Sequence, residues 1–158
     1  MKTCYVYGDQ QILECFEGDA RVTQYSVSTG AKGFGEVYGS EQTPRGWHMI
    51  RAKIGEGQPV NTVFIKRRPT GEIYSEALAQ AHPGRDWILT RILWLSGLEL
   101  NKNRLGNVDT MRRYIYIHGT PDSTPLGKPG SRGCIRMNNQ DLVEFFSWAD
   151  IGTRILVQ

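Results

Sequence analysis

Trp87-Ile88-Leu89-Thr90-Arg91-Ile92-Leu93-Trp94-Leu95 is the stretch on which the fold class turns. Its apolar density fits a buried strand or a helix, and periodicity alone does not separate the two. Its surroundings tip it to a strand, because short β-rich runs punctuated by glycine and proline lie on both sides. Upstream, residues 21–29 (Arg-Val-Thr-Gln-Tyr-Ser-Val-Ser-Thr) are β-branched and alternating, and a turn-rich Gly30-Ala-Lys-Gly-Phe-Gly35 follows them. Thr43-Pro44-Arg45-Gly46 is a further turn, leading into Trp47–Ile54. Val63–Lys66, Tyr114–Ile117 and Thr153–Val157 read as three more strands. One helix stands out: Asn138 or Asn139 caps it, and Leu142, Val143, Phe145, Phe146 and Ala149 form its apolar stripe before Asp150-Ile151-Gly152 ends it.

At 158 residues the chain fits one domain spanning 1–158, large enough to bury a core without metal or disulfide staples. Charged residues at 22% and hydrophobic ones at 39% fit a globular protein. The net charge of +3 is dispersed, and the basic clusters Lys66-Arg67-Arg68 and Arg112-Arg113 are too short to argue for nucleic acid. No run of 18 uncharged apolar residues occurs, so no membrane span is expected. The first nine residues contain neither an apolar signal core nor a small-residue cleavage site. The expectation is therefore a cytoplasmic protein, or a periplasmic one if residues were trimmed before Met1.

Three cysteines do not make a disulfide framework. Cys4 and Cys15 fall in an N-terminal hairpin turning at Gly8-Asp9, where Cys4, Val6, Leu13 and Cys15 share a face. Two buried free thiols are expected there, since cysteine packs as a small hydrophobe; a cross-strand disulfide is the alternative.

Cys134 is a different case. It stands in Ser131-Arg132-Gly133-Cys134-Ile135-Arg136-Met137, sixteen residues after His118 in Ile117-His118-Gly119-Thr120. A thiol that attacks an acyl carbon needs a base, donors for the oxyanion and an open approach. His118 supplies an imidazole on a strand end, and Gly133 removes a side chain beside the thiol and lets backbone N–H groups converge. The N-terminus of the following helix adds a favourable dipole to the thiolate if oriented towards it. Taken alone, a Gly-Cys pair and a distant histidine are more often a core thiol and a surface ring.

The wider pattern is more specific. Tyr116–Thr120, then Gly127-Lys-Pro-Gly130 leading into Ser131–Met137, then Asp141 and Gly152-Thr153, closely resemble the catalytic domain of the L,D-transpeptidase (YkuD) family. Gln42–Gly46 and Arg85–Arg91 resemble it too, so the likeness runs from about residue 20 to the end of the chain. The resemblance implies a mainly β fold, a mixed β-sheet sandwich with few short helices, and a cysteine acyl-enzyme acting on peptidoglycan stem peptides or muropeptides. Cys134 matches the nucleophile, His118 the general base, and the N–H groups near Gly133 and Cys134 the oxyanion donors. Ser131, Gly133 and Arg136 match the remaining motif positions, and Ser131 and Gly119 are expected to contact substrate. Arg136 holds a substrate carboxylate or braces the loop, and Tyr116, on the His118 face, walls the pocket. The family often has histidine where this chain has Arg132, which supplies positive charge to the thiolate or an anionic substrate instead, or is a solvated loop side chain.

The resemblance implies attack on the diaminopimelate carbonyl of a tetrapeptide, with loss of the terminal D-Ala. An amine acceptor would then give a crosslink, and water would make the protein an L,D-carboxypeptidase. The N-terminal reading favours the carboxypeptidase, acting on soluble recycled muropeptides; exported crosslinking is the alternative. Covalent modification of Cys134 by a carbapenem is a corollary. Two readings of other classes stand beside it: a non-catalytic peptidoglycan-binding domain, and an unrelated cysteine hydrolase or redox protein, the latter weakened by the lack of Cys-x-x-Cys. His48 is expected to be structural, and His82 sits in a turn that could border the cleft. Asp86 and Arg91 are expected in structural ion pairs, and Trp87 and Trp94 in the core. The three histidines have no metal-ligand spacing, and neither a metal nor another cofactor is expected.

Overall fold

The computed structural model describes residues 1–158. The N-terminal hairpin forms as expected from β1 (Lys2–Tyr7) and β2 (Ile12–Glu17), and β3 (Ala20–Ser28) extends it. Next come β4 (Gly46–Ile54), β5 (Thr62–Ile65), β6 (Arg68–Ile73) and a short α1 (Glu76–Ala81). The ambiguous apolar run is strand β7 (Leu89–Gly97). It is followed by β8 (Tyr116–Gly119), β9 (Ile135–Met137), α2 (Asn139–Trp148) and β10 (Arg154–Val157).

The strands form one mixed sheet in the order β4-β10-β1-β2-β3-β9-β8-β7-β5-β6. β4 also pairs with β7, so eight strands close into a ring whose walls are continuous. β5 takes over the edge of β7 through Val63↔Leu89 where β4 stops, and β6 hangs outside as the free edge. Pro69 on that edge removes a donor that would otherwise invite another strand. Two pairings are parallel, β1 with β10 and β8 with β9.

Alternation fills the ring. Cys4, Val6, Leu13, Cys15, Val27, Leu93, Leu95, Ile117, Ile135 and Ile155 all point inwards and are fully buried. Cys4 and Cys15 face each other across β1 and β2 as free thiols, Sγ to Sγ 3.9 Å. α2 lays Leu142, Phe145 and Phe146 against this core. Asn138 caps α2, its side chain accepting from the amides of Gln140 and Asp141, a contribution of about 1 kcal/mol. His48 is structural, its ring nitrogens 3.0 Å from Gly46 O and from Thr110 Oγ1.

Several local expectations are corrected. The strand read at Tyr114–Ile117 is shifted to Tyr116–Gly119, because Tyr114 adopts φ +55° in a turn. His118 therefore sits within the strand. Trp94 is outside the main core: Leu93 and Leu95 turn inwards, so it lies on the other face, half-buried against the small Phe64, Ile92 and Tyr116 cluster, with the Arg51 and Arg67 guanidinium groups 5.3 and 5.1 Å from its ring. Trp87 is also half-buried, edge-on to Tyr74 at 5.1 Å with Arg85 over it. Arg91 forms no ion pair; its guanidinium donates to the carbonyls of Gln58 and Thr90 and lies 5.5 Å from the Phe146 ring. Asp86 is paired as expected, with Arg136 at 3.3 Å.

Candidate active site

The parallel register of β8 and β9 builds the site. Ile117 pairs with Ile135 and His118 with Arg136, so Cys134, one residue before β9, falls beside Tyr116. Ile117 and Ile135 enter the core, which turns Tyr116, His118, Cys134 and Arg136 to the opposite face. Two strand residues, roughly 7 Å of backbone, separate the thiol level from the imidazole level.

His118 is buried, and its Nδ1 lies 2.6 Å from the carbonyl oxygen of Gly119. A carbonyl only accepts, so Nδ1 carries the proton and Nε2 is left with the lone pair. Burial lowers the imidazole below its ordinary value, against the opposing pull of the Gly119 carbonyl and Asp86, and with Arg136 adding to the lowering. The ring is thus a neutral base with its tautomer fixed.

Cys134 Sγ receives the Tyr116 N–H at 3.3 Å and offers its own proton to the Tyr114 carbonyl at 3.4 Å. Burial pushes the thiol up to about 12, and Asp86 adds to this; the Tyr116 amide, Arg136 and Arg113 act against it. The resting pair is therefore thiol and imidazole, not thiolate and imidazolium. Helix α2 does not alter that. Its first turn is separated from Cys134 by β9, roughly 13 Å of extended chain, while the field of a helix terminus fades within a turn.

The loop carrying Cys134 is locked from below. Ser131 Oγ accepts the Gly133 amide at 3.1 Å and donates to the Cys134 carbonyl at 2.5 Å. Thr43 Oγ1 accepts from the Gly30 amide and donates to the Gly133 carbonyl. Gly133 has φ +122°, and a Cβ there would lie 3.2 Å from the Gln42 carbonyl oxygen. The glycine thus serves the backbone turn and close packing on Gln42, rather than clearing a path for substrate as the sequence suggested. Its amide is committed to Ser131, while the Cys134 amide beside the thiol donates to no protein group.

The cleft over the thiol holds about 580 Å³. Of the residues singled out in the sequence, Cys134, His118, Tyr116, Ser131 and Arg132 line it. Gly133, Gly119 and Arg136 stand behind the wall. Gly119 packs where a Cβ would strike Asn139 Oδ1 and the Leu89 carbonyl, and Arg136 ties the Gly130 carbonyl to Asp86. Arg132 reaches the Gly84 carbonyl, closing one rim, while His82 is exposed and off the cleft. Sequence reasoning missed Lys66, Arg67 and Arg113, which also line it. Arg113 is clamped by Gly35 O, Ser40 Oγ and Gln42 O, a set of partners drawn from one distant loop that no local motif announces. Nowhere are three His, Cys, Asp or Glu side chains gathered as metal ligands. No helix is long and apolar enough to cross a membrane.

A closed mixed β ring thus presents a thiol, a tautomer-fixed neutral imidazole and a free amide around one cleft. Comparison with known proteins gives the family. The L,D-transpeptidase catalytic domain (YkuD) model matches residues 5–157, and the chain belongs to that family. The Bacillus subtilis protein named L,D-transpeptidase YkuD is 36% identical over 94 residues, covering 60% of this chain and 47% of that protein. The B. subtilis protein named L,D-transpeptidase YqjB is 46% identical over 45 residues, 28% of this chain and 26% of that protein. The chain thus spans less than half the length of these relatives. Among solved structures, the L,D-transpeptidase of Xylanimonas cellulosilytica superposes with a TM-score of 0.61 at 21% identity, over 99% of this chain and 60% of that one. L,D-transpeptidase 3 of Mycobacterium tuberculosis, bearing a faropenem-derived adduct, gives 0.60 at 15% identity over the same shares. At these identities the structural likeness establishes the fold.

Proposed function

We propose that the protein is a cysteine L,D-carboxypeptidase that removes the terminal D-Ala from peptidoglycan tetrapeptide stems. The observation that carries this is the β8–β9 register, which brings Cys134 and His118 to the lining of one cleft. Sγ, whose proton rests on the Tyr114 carbonyl 3.4 Å away, turns from it towards Nε2 and gives up that proton as it attacks the carbonyl of the third stem residue. The Cys134 N–H receives the developing oxyanion, a contact of the kind that contributes a few kcal/mol. Collapse breaks the amide bond, and the D-Ala amine leaves with the proton returned from His118. Water, deprotonated by the same nitrogen, then splits the thioester and frees the tripeptide.

Water is favoured as acceptor by the charge of the cleft. Lys66, Arg67, Arg113 and Arg132 line it against a single carboxylate, Asp86, which Arg136 already holds. An acceptor amine arrives as an ammonium and meets that field; water does not. We place the substrates among soluble muropeptides in the cytoplasm, which fractionation of the native host tests directly.

Crosslinking is the second reading, favoured by an adjoining depression of about 220 Å³ that shares Arg113, Tyr114, Ile115 and Arg132 and includes the Glu41 carboxylate. Incubation with disaccharide-tetrapeptide, with and without a second stem, separates the two by mass spectrometry. Loss of D-Ala alone supports hydrolysis, a joined dimer supports crosslinking, and product from Cys134→Ala overturns both.

A further inference from the structure

We infer that Arg67 is a specificity residue whose guanidinium fork recognises a free carboxylate beside the scissile carbonyl, so that donors with that group amidated are discriminated against. This deepens the peptidoglycan-stem reading and rests on it.

The four cations of the cleft are not equivalent. Arg113 is spent on three acceptors of the protein, Arg132 reaches away to the Gly84 carbonyl, and Lys66 is an exposed point charge. Arg67 is held without being neutralised. Its Cζ lies 4.5 Å from the Tyr114 ring and 5.1 Å from the Trp94 ring, and Nη1 donates to Tyr116 Oη at 3.0 Å. The hydroxyl raises no charge against it, and one N–H of five has a protein acceptor. The rings fix the plane of the group, leaving free N–H donors for a bidentate carboxylate.

Its backbone is equally committed. Lys66 and Arg67 form the whole two-residue turn between β5 and β6, with φ of +50° and +65°. Asparagine and glycine suit such a turn best; here it carries two cations.

The fork is tied to the nucleophile through the residues that hold it. Tyr116, whose hydroxyl binds Arg67, gives its amide to Cys134 Sγ, and Tyr114, whose ring lies under Arg67, gives its carbonyl to the same sulfur. One tyrosine side chain therefore spans the interval between attacking atom and fork. A peptide with its carbonyl at Sγ and a carboxylate on the same residue fits that interval. The carboxylate would complete a cation that the protein leaves without a counter-ion.

The test compares acylation of Cys134 by two synthetic tetrapeptide stems, one with a free side-chain carboxylate on diaminopimelate and one with that group amidated. The wild type is expected to prefer the free acid in kcat/KM by roughly ten- to a hundredfold, the range for a hydrogen-bonded charge pair. In Arg67→Met the ratio falls towards one, chiefly through a higher KM for the free acid; Arg67→Lys restores a part of it. Tyr116→Phe, which keeps the charge but releases the fork, reduces the ratio while thermal melting shows the fold intact. Equal use of both stems by the wild type overturns the inference, as does a ratio unchanged in Arg67→Met. If a carbapenem acylates Cys134 but neither stem does, the stem-peptide reading fails and takes this inference with it.

Discussion

The thiol of Cys134 should titrate as an unactivated group. With its pKa pushed up to about 12 by burial, the thiolate fraction at pH 7 is of order 10⁻⁵, against about 3% for a free cysteine. The difference, some three thousandfold, is about 5 kcal/mol that the reaction must recover when His118 takes the proton during attack. Thiolate absorbance, read as wild type minus Cys134→Ser across pH 5–10, should show no step near neutrality. Iodoacetamide at pH 7 should label the native protein far more slowly than it labels glutathione, because Cys134 in the cleft stays a thiol and Cys4 and Cys15 are wholly buried. His118→Ala should leave that titration flat yet slow acylation by a stem peptide by about 10²–10⁴-fold, the scale of a lost general base. A step below pH 7 that disappears in His118→Ala would refute the reasoning, since it is the signature of a pre-formed thiolate–imidazolium pair.

Three further outcomes follow from the architecture. His48 is held neutral by burial, its pKa lowered to about 4, so the unfolded chain takes up its proton first as pH falls. Stability is complete above about 6.5 and should decline by about 3 kcal/mol as pH drops towards 4, read by urea unfolding, with a shallower slope in His48→Gln. Gly133→Ala imposes a side chain at φ +122° against the Gln42 carbonyl and should cost about 1–3 kcal/mol with a larger loss of activity; an unchanged denaturation midpoint would refute the role assigned to that turn. Thr43→Val strips partners from the Gly30 amide and the Gly133 carbonyl, so about 1–3 kcal/mol should be lost in chemical denaturation, together with slower acylation of Cys134.

Local patterning made much of this legible. The β1–β2 hairpin, its inward cysteines, the capped helix α2 and the strand β7 follow from alternation, capping and β-rich context, which are short-range signals. Cys134 and His118 were visible because a glycine-rich loop and a strand end are chemically conspicuous. The ring closure of β4 on β7 was not, since no residue of either strand encodes its partner. Arg67 reads in the sequence as part of a basic cluster, and only the two-residue turn brings it to the lining of the Cys134 cleft. The role of Gly133 was misjudged because its constraint comes from Gln42, ninety-one positions away in sequence. The shift of β8 has a similar origin: nothing in Tyr114 itself announces a left-handed conformation.

Strand β10 lies between β1 and β4, and the Gly8 amide bonding to the Gln158 carbonyl and the Gln158 amide to that of Val6 continue the same ladder. A ribosome makes residues 154–157 after every other strand of the ring, so during translation β1 and β4 wait with unpaired edges. Closure then joins segments about 150 positions apart, a connectivity that favours slow folding and waits on residues 154–157. The newborn domain is therefore exposed to misassociation for as long as β10 is missing, and chaperone demand should be greatest when translation pauses before residue 154.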